Sequence, residues 1–278
     1  MQLYSIDTGY FKLDGGAMFG VVPKSIWNRI NPADDQNLCT WAMRCLLAEE
    51  GNRLVLIDCG LGNKQSEKFF SHYQPHGDKN LLSSLHSHGF LPDDITDVFL
   101  THLHFDHCGG AINYDSEMRA VPAFRNATYY SCEQHWQAAT MPNQREKASF
   151  LKENILPIKE SGQLKMLADG EELFPGFKTK FVYGHTEAMM LPLIQYRSKT
   201  IAYMADLIPS AGHIPVAYVM AYDIRPLISL QEKESLLNTA VENNYVLFFE
   251  HDPSIEACTL VKTERGIRME AAIEVSRL

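Results

Sequence analysis

The chain has no apolar run that approaches the length of a membrane span, and no low-complexity linker or internal repeat. Its opening, Met1-Gln2-Leu3-Tyr4-Ser5-Ile6-Asp7-Thr8-Gly9, lacks the basic start and continuous apolar core of a secretory peptide. The six cysteines, at 39, 45, 59, 108, 132 and 258, form no C-x-x-C pair and no regular framework. Buried, reduced thiols in a cytoplasmic protein are therefore expected. Positive charge is also short: 25 Lys and Arg face 34 Asp and Glu, and the net charge of −9 disfavours broad attraction to a nucleic-acid backbone. No G-x-S-x-G elbow demands a covalent mechanism. What remains is a chain of 278 residues, 45% apolar, enough for a substantial core.

Chemistry concentrates in Thr101-His102-Leu103-His104-Phe105-Asp106-His107, which follows the apolar run Val98-Phe99-Leu100. Imidazole and carboxylate suit zinc and neighbouring first-row metals, and the preceding β-type run supplies a rigid strand end. His102 and His104 project from one side of an extended segment and can share one ion. Asp106 and His107 lie past the bend and can reach a second.

Three later apolar runs each end at another ligand type. Phe181-Val182-Tyr183-Gly184 leads to His185, Ile201-Ala202-Tyr203-Met204-Ala205 to Asp206, and Val246-Leu247-Phe248-Phe249-Glu250 to His251. Ligands just beyond strand ends suit a site held by a scaffold. In this tally His102, His104 and His185 hold one ion, Asp106, His107 and His251 the other, and Asp206 bridges them. Each later residue has a plain alternative. A lone histidine after a strand is commonly a loop residue, and Asp206 could cap the turn before Pro209. Because the ligands run from His102 to His251, a domain boundary between them would split the site, so one domain over 1–278 is expected.

Elsewhere the pattern gives a buried strand at Arg53-Leu54-Val55-Leu56-Ile57, followed by a tight turn at Asp58-Cys59-Gly60-Leu61-Gly62. Asp58 either receives a hydrogen bond from a ligand histidine or caps that turn. A short helix is expected from Asn80 to Gly89, an amphipathic helix from Gln231 to Asn244, and a terminal hairpin around Glu264-Arg265-Gly266. The polar stretch around 134–163 reads as a helical insertion that covers the site or makes a subunit contact, as in a homodimer. His135 and Trp136 within it read as packed or solvent-facing side chains, Cys108 as a small packed residue, and His72, His76, His86 and His88 as non-ligands.

The motif resembles the signature of the metallo-β-lactamase superfamily, and its His-Leu-His-Phe-Asp-His wording resembles the quorum-quenching lactonases within it. The segments Gly15-Gly16-Ala17-Met18-Phe19-Gly20-Val21-Val22-Pro23 and Asp206-Leu207-Ile208-Pro209 are similar to a lactonase and methyl parathion hydrolase-like branch. The resemblance implies an α/β fold, an αββα sandwich with a dinuclear site along the sheet edge. It implies two divalent ions, with zinc the leading choice and manganese, iron or cobalt open by ligand type. A metal-bridging hydroxide would open a lactone ring, such as that of an N-acyl homoserine lactone, with Asp106 shuttling a proton to the departing alkoxide. The partner is a small ester-like molecule, with no nucleic acid and no membrane. One departure is visible. Resembling lactonases often place a tyrosine three residues after the bridging aspartate, where this chain has Pro209. Tyr222 and His213 follow on the next loop, each with an ordinary reading, a loop-edge tyrosine and a surface histidine. Alternatives are phosphotriester or other ester hydrolysis, a di-iron electron-transfer protein (disfavoured because His104 stands where that pattern has glutamate), and a noncatalytic metal-binding member.

Overall fold

Apolar runs bounded by glycine turns build two sheets, seen in a computed structural model that describes residues Met1–Leu278. The chain forms two compact units, neither of them one continuous piece of sequence. The first comprises Met1–Gly9, Met43–His72 and His76–Ala168, the second Tyr10–Ala42, Tyr73–Pro75 and Asp169–Leu278. No helix is long and apolar enough to cross a membrane, and all six cysteines are buried without forming a disulfide.

In chain order the early strands are β1 (Gln2–Asp14), β2 (Leu38–Glu50), β3 (Arg53–Ile57), β4 (Asp97–Phe99), β5 (Ile112–Tyr114), β6 (Ala120–Pro122), β7 (Thr128–Ser131) and β8 (Leu164–Met166). Six of them make a sheet in the order β1-β2-β3-β4-β7-β8, while β5 and β6 form a separate hairpin. The β2–β3 pair is antiparallel, and β3, β4, β7 and β8 run parallel. Parallel strands covered on both faces carry near-continuous apolar sequence. That explains why Leu54 to Ile57 and Asp97 to Phe99 are buried throughout. Leu54, Leu56 and Val98 join Tyr129, Trp136, Phe150 and Ile155 in one core. The helix expected from Asn80 spans Leu81–Ser87, with Asn80 capping it through a reciprocal bond to Ser83. The 134–163 stretch contains helices Glu133–Thr140 and Lys152–Glu160, both in the first unit.

The second unit carries β9 (Glu172–Phe174), β10 (Phe177–Val182), β11 (Met189–Tyr196), β12 (Lys199–Tyr203), β13 (Val246–Phe248), β14 (Ala257–Thr263) and β15 (Gly266–Ile273), paired in sequence order. All neighbours are antiparallel except β12 and β13, which are joined across the helix Pro226–Glu242. A parallel pair needs such a crossover. The helix starts five residues before the expected Gln231, because Pro226 occupies its first turn, where a missing N–H costs nothing. The terminal hairpin closes at Thr263 and Gly266, with Leu260 opposite Met269.

Candidate metal centre

One cluster of ligand-type residues, in the first unit, follows from the register of β3 and β4. Ile57 lies beside Phe99, so Asp58 and the segment from Leu100 leave the sheet at the same edge. Asp58 takes a left-handed backbone, φ 59°, and its own N–H donates to the Phe99 carbonyl at 2.9 Å. Its carboxylate accepts from Thr101 N at 2.8 Å, Thr101 Oγ1 at 2.6 Å and His107 Nδ1 at 3.1 Å. Asp58 thus ties the turn and orients a ligand-type histidine at once. Having given its proton to Asp58, the Thr101 hydroxyl accepts from His102 Nδ1, 3.1 Å away. Both His102 and His107 are therefore protonated on Nδ1 and present a lone pair on Nε2.

His102 Nε2 faces His104 Nδ1 at 3.1 Å, while the other His104 nitrogen lies 3.9 Å from the Glu146 carboxylate. The helix Phe105–Cys108 brings Asp106 Oδ2 to 3.8 Å from His107 Nε2. It packs tightly against the turn after β3: a Cβ on Gly109 would sit 2.0 Å from the Leu61 carbonyl oxygen. His135 is buried, and its Nε2 accepts the Leu103 N–H at 2.8 Å, so this ring holds the backbone between His102 and His104. Cys108 is buried, and that burial pushes its thiol up to about 12. His72, His76, His86 and His88 are all exposed.

A second cluster, in the second unit, is built by β10, β12 and β13. The parallel register of β12 and β13 sets Tyr203 beside Phe248, and the chain then continues to Asp206 and His251. Asp206 Oδ2 lies 3.1 Å from His185 Nε2, and Oδ1 lies 3.0 Å from His251 Nε2. The outer nitrogens are also occupied: His185 Nδ1 is 2.9 Å from Asp223 Oδ1, and His251 Nδ1 donates to the Ala42 carbonyl at 2.8 Å. Burial opposes a charge on His185, but the Asp206 carboxylate and the bonds to Asp206 and Asp223 push it up to about 10.

His213, read from sequence as a surface residue, is fully buried. It stacks on Phe19 with ring centroids 4.5 Å apart, accepts from Ser210 Oγ at 2.7 Å and donates from Nε2 to the Met18 carbonyl at 2.9 Å. Burial pushes its pKa down to about 3, which keeps the ring neutral as those bonds require. Tyr222 stays on the exposed loop. Sequence reasoning did not find Thr101, Asp223 or the Ala42 carbonyl. No spacing rule connects Asp223 to His185, and a carboxylate shortly before Pro226 reads as an ordinary helix-start residue.

The donor set fits divalent metal. Two nitrogens each 2.0–2.1 Å from a tetrahedral zinc stand about 3.3 Å apart, close to the His102–His104 separation of 3.1 Å. Four imidazoles, His102, His107, His185 and His251, have Nδ1 occupied and Nε2 turned toward a ligand-type partner, and all seven sequence-derived ligands are buried.

Residues 44–251 match the Metallo-beta-lactamase superfamily, and the chain belongs to that superfamily. Its mixed α/β fold is the superfamily's. A probable metal-dependent hydrolase from Staphylococcus aureus superposes with a TM-score of 0.89 at 28% identity, over 98% of this chain and 96% of its own. AidC, a dizinc quorum-quenching lactonase, superposes with a TM-score of 0.78 at 20% identity, over 98% and 95% of the two chains. An N-acyl homoserine lactonase of Bacillus cereus is 22% identical over 272 residues, covering 90% of this chain and 93% of that protein.

Proposed function

We propose that the protein is a dinuclear metal-dependent hydrolase of small ester-like molecules, and that its preferred reaction opens a lactone ring, with N-acyl homoserine lactones the first class to test. His102, His104 and His185 would hold one ion, Asp106, His107 and His251 the other, and Asp206 would give one oxygen to each. The observation that carries the proposal is the division of the Asp206 carboxylate between His185 and His251, at 3.1 and 3.0 Å, one histidine from each ion's set. Zinc is the proposed metal: AidC is a dizinc enzyme, and zinc is at home among imidazoles and carboxylates.

Bound there, two divalent ions activate water near neutral pH and polarise an acyl oxygen. The chain's own groups set the stage for that chemistry. Asp58, Thr101, Asp223 and the Ala42 carbonyl hold four imidazoles in the tautomer that leaves Nε2 to the metal. Asp106 would carry a proton to the alkoxide that departs when the ring opens. At Pro209, where related lactonases offer a tyrosine hydroxyl, there is only a backbone carbonyl, and it accepts the His251 N–H at 3.0 Å. A second reading, phosphotriester hydrolysis, is supported by the likeness of Gly15–Pro23 and Asp206–Pro209 to the methyl parathion hydrolase-like branch.

Metal-quantified protein assayed against lactones, phosphotriesters, thioesters and β-lactams separates these readings by kcat/KM. The lactone proposal expects two ions per chain and the highest kcat/KM on a lactone. One ion per chain, or a phosphotriester preferred over every lactone, would refute it.

A further inference from the structure

The helix Pro226–Glu242 carries two adjacent charged residues with opposite hydrogen-bonding sense. The Glu232 carboxylate accepts the Tyr183 N–H at 2.7 Å through Oε1 and the Gly184 N–H at 3.0 Å through Oε2. Those are the two amides immediately before His185. Lys233 is 1% exposed, and its Nζ donates to the carbonyls of Tyr218 at 2.6 Å and Pro215 at 3.3 Å. Pro215 and Tyr218 belong to the segment that runs on to Asp223, the partner of His185 Nδ1. Consecutive helical residues are turned about 100° apart, so neighbouring positions on one helix can address two different loops.

Other contacts from the same region converge on His185. The Ile224 N–H donates to the His185 carbonyl at 3.2 Å, and the Arg225 N–H to the Gly184 carbonyl at 2.9 Å. A Cβ on Gly184 would lie 2.2 Å from Ser229 Oγ, so only glycine lets the loop ride this close to the helix. Burying an ammonium is costly, and burial pushes Lys233 down to about 7. An apolar side chain of similar length would fill the space without that cost, so the donor hydrogens are what the position supplies.

We propose that Glu232 and Lys233 are positioning residues for the metal ligand His185, Glu232 by fixing the backbone that delivers the ring and Lys233 by fixing the segment that delivers Asp223. The inference rests on the dinuclear reading of the site. Groups that orient a ligand change metal affinity by about 10–100-fold when removed. Full-length protein loaded with Zn²⁺ is titrated with a chelator while ion release is counted, using Glu232→Ala, Glu232→Gln, Lys233→Met and a His185→Ala reference.

The expected result is selective. In Glu232→Ala and Lys233→Met, one ion leaves at about 10–100-fold lower chelator than in wild type. It is the ion that His185→Ala loses, and the second ion stays. Glu232→Gln, which keeps one acceptor oxygen, falls between wild type and Glu232→Ala. Metal-free Tm values stay within about 3 °C of wild type. Retention of both ions at wild-type affinity in Glu232→Ala and Lys233→Met would overturn the inference. So would loss of both ions together with a large fall in the metal-free Tm, which is the signature of a purely structural role. Wild-type protein that fails to hold two ions ends the dinuclear reading and this inference with it. Wild-type protein that holds two ions but cleaves no ester ends the functional reading alone, because ion release from Glu232→Ala still decides the positioning role.

Discussion

At the scale of single residues, the sequence was most informative where ligand chemistry is dense and local. His102, His104, Asp106 and His107 could be read directly because four metal-type side chains fall within six positions after an apolar run. The groups that set their tautomers were mostly hidden. Asp58 was legible as a carboxylate at a strand end, but its three hydrogen bonds depend on β3 and β4 sharing an edge. Asp223 and Glu232 were silent, because backbone and ring partners 38 and 49 residues away leave no periodic trace. Asp106 is the residue on which ligation and proton transfer are both proposed, and Asp106→Asn separates them. The amide keeps the size of the side chain but loses the charge and the capacity to carry a proton at mild pH. The expected outcome is folded protein with hydrolysis reduced by about 10²–10⁴-fold. Metal content measured on the same sample divides the cases: loss with both ions retained supports proton transfer, and loss with one ion missing supports ligation alone. Wild-type turnover would refute both roles.

Elements were legible in proportion to how local their signals are. The strand at Arg53–Ile57, the helix from Asn80 to Gly89 and the hairpin at Gly266 came from a continuous apolar run, a terminal glycine and a glycine turn. The long strands β1 and β2 were not anticipated. β1 mixes polar and apolar residues without clean alternation and carries Gly9 at φ 95° in its middle, while β2 is interrupted by Thr40 and Arg44. Strand pairing holds these segments where local pattern does not. The helix Phe105–Cys108, which carries Asp106 and His107, is too short to be stable by propensity and depends on its neighbours. Gly109 is the test of that dependence, since a methyl group there meets the Leu61 carbonyl oxygen at 2.0 Å. Gly109→Ala should force the helix away from the turn after β3 and cost about 1–3 kcal/mol, as overpacking does. Urea unfolding of the metal-free protein would read the stability, and metal content would read the displacement of Asp106 and His107. Unchanged values in both would show that the contact is soft.

At the scale of the whole molecule, composition excluded more than it specified. Acidic net charge and six cysteines without a regular spacing pointed away from nucleic-acid binding and a disulfide framework; all six cysteines are buried. The division of the chain into two compact units built from interleaved segments was not visible in the sequence, because the crossings fall in ordinary strand, helix or loop sequence with no linker composition to mark them. The proposed ligands span His102 to His251, so bound ions would close a long stretch of chain, the case in which a metal clip constrains the unfolded state most. Ligand linkage adds to this: an ion present at about 100-fold its dissociation constant stabilises the folded state by about 2.7 kcal/mol. Removing the ions by chelation and dialysis should therefore lower Tm by several degrees. For a chain of this size about 2–4 °C accompanies each kcal/mol, and the loss should reverse when Zn²⁺ is restored. Asp206→Ala supplies the decisive control, because a carboxylate shared by two ions cannot be removed without weakening both. The variant should start near the Tm of the metal-free wild type and respond little to added Zn²⁺. If it instead regained full wild-type stability with Zn²⁺, Asp206 would not be the bridge and the division of ligands between two ions would have to be redrawn.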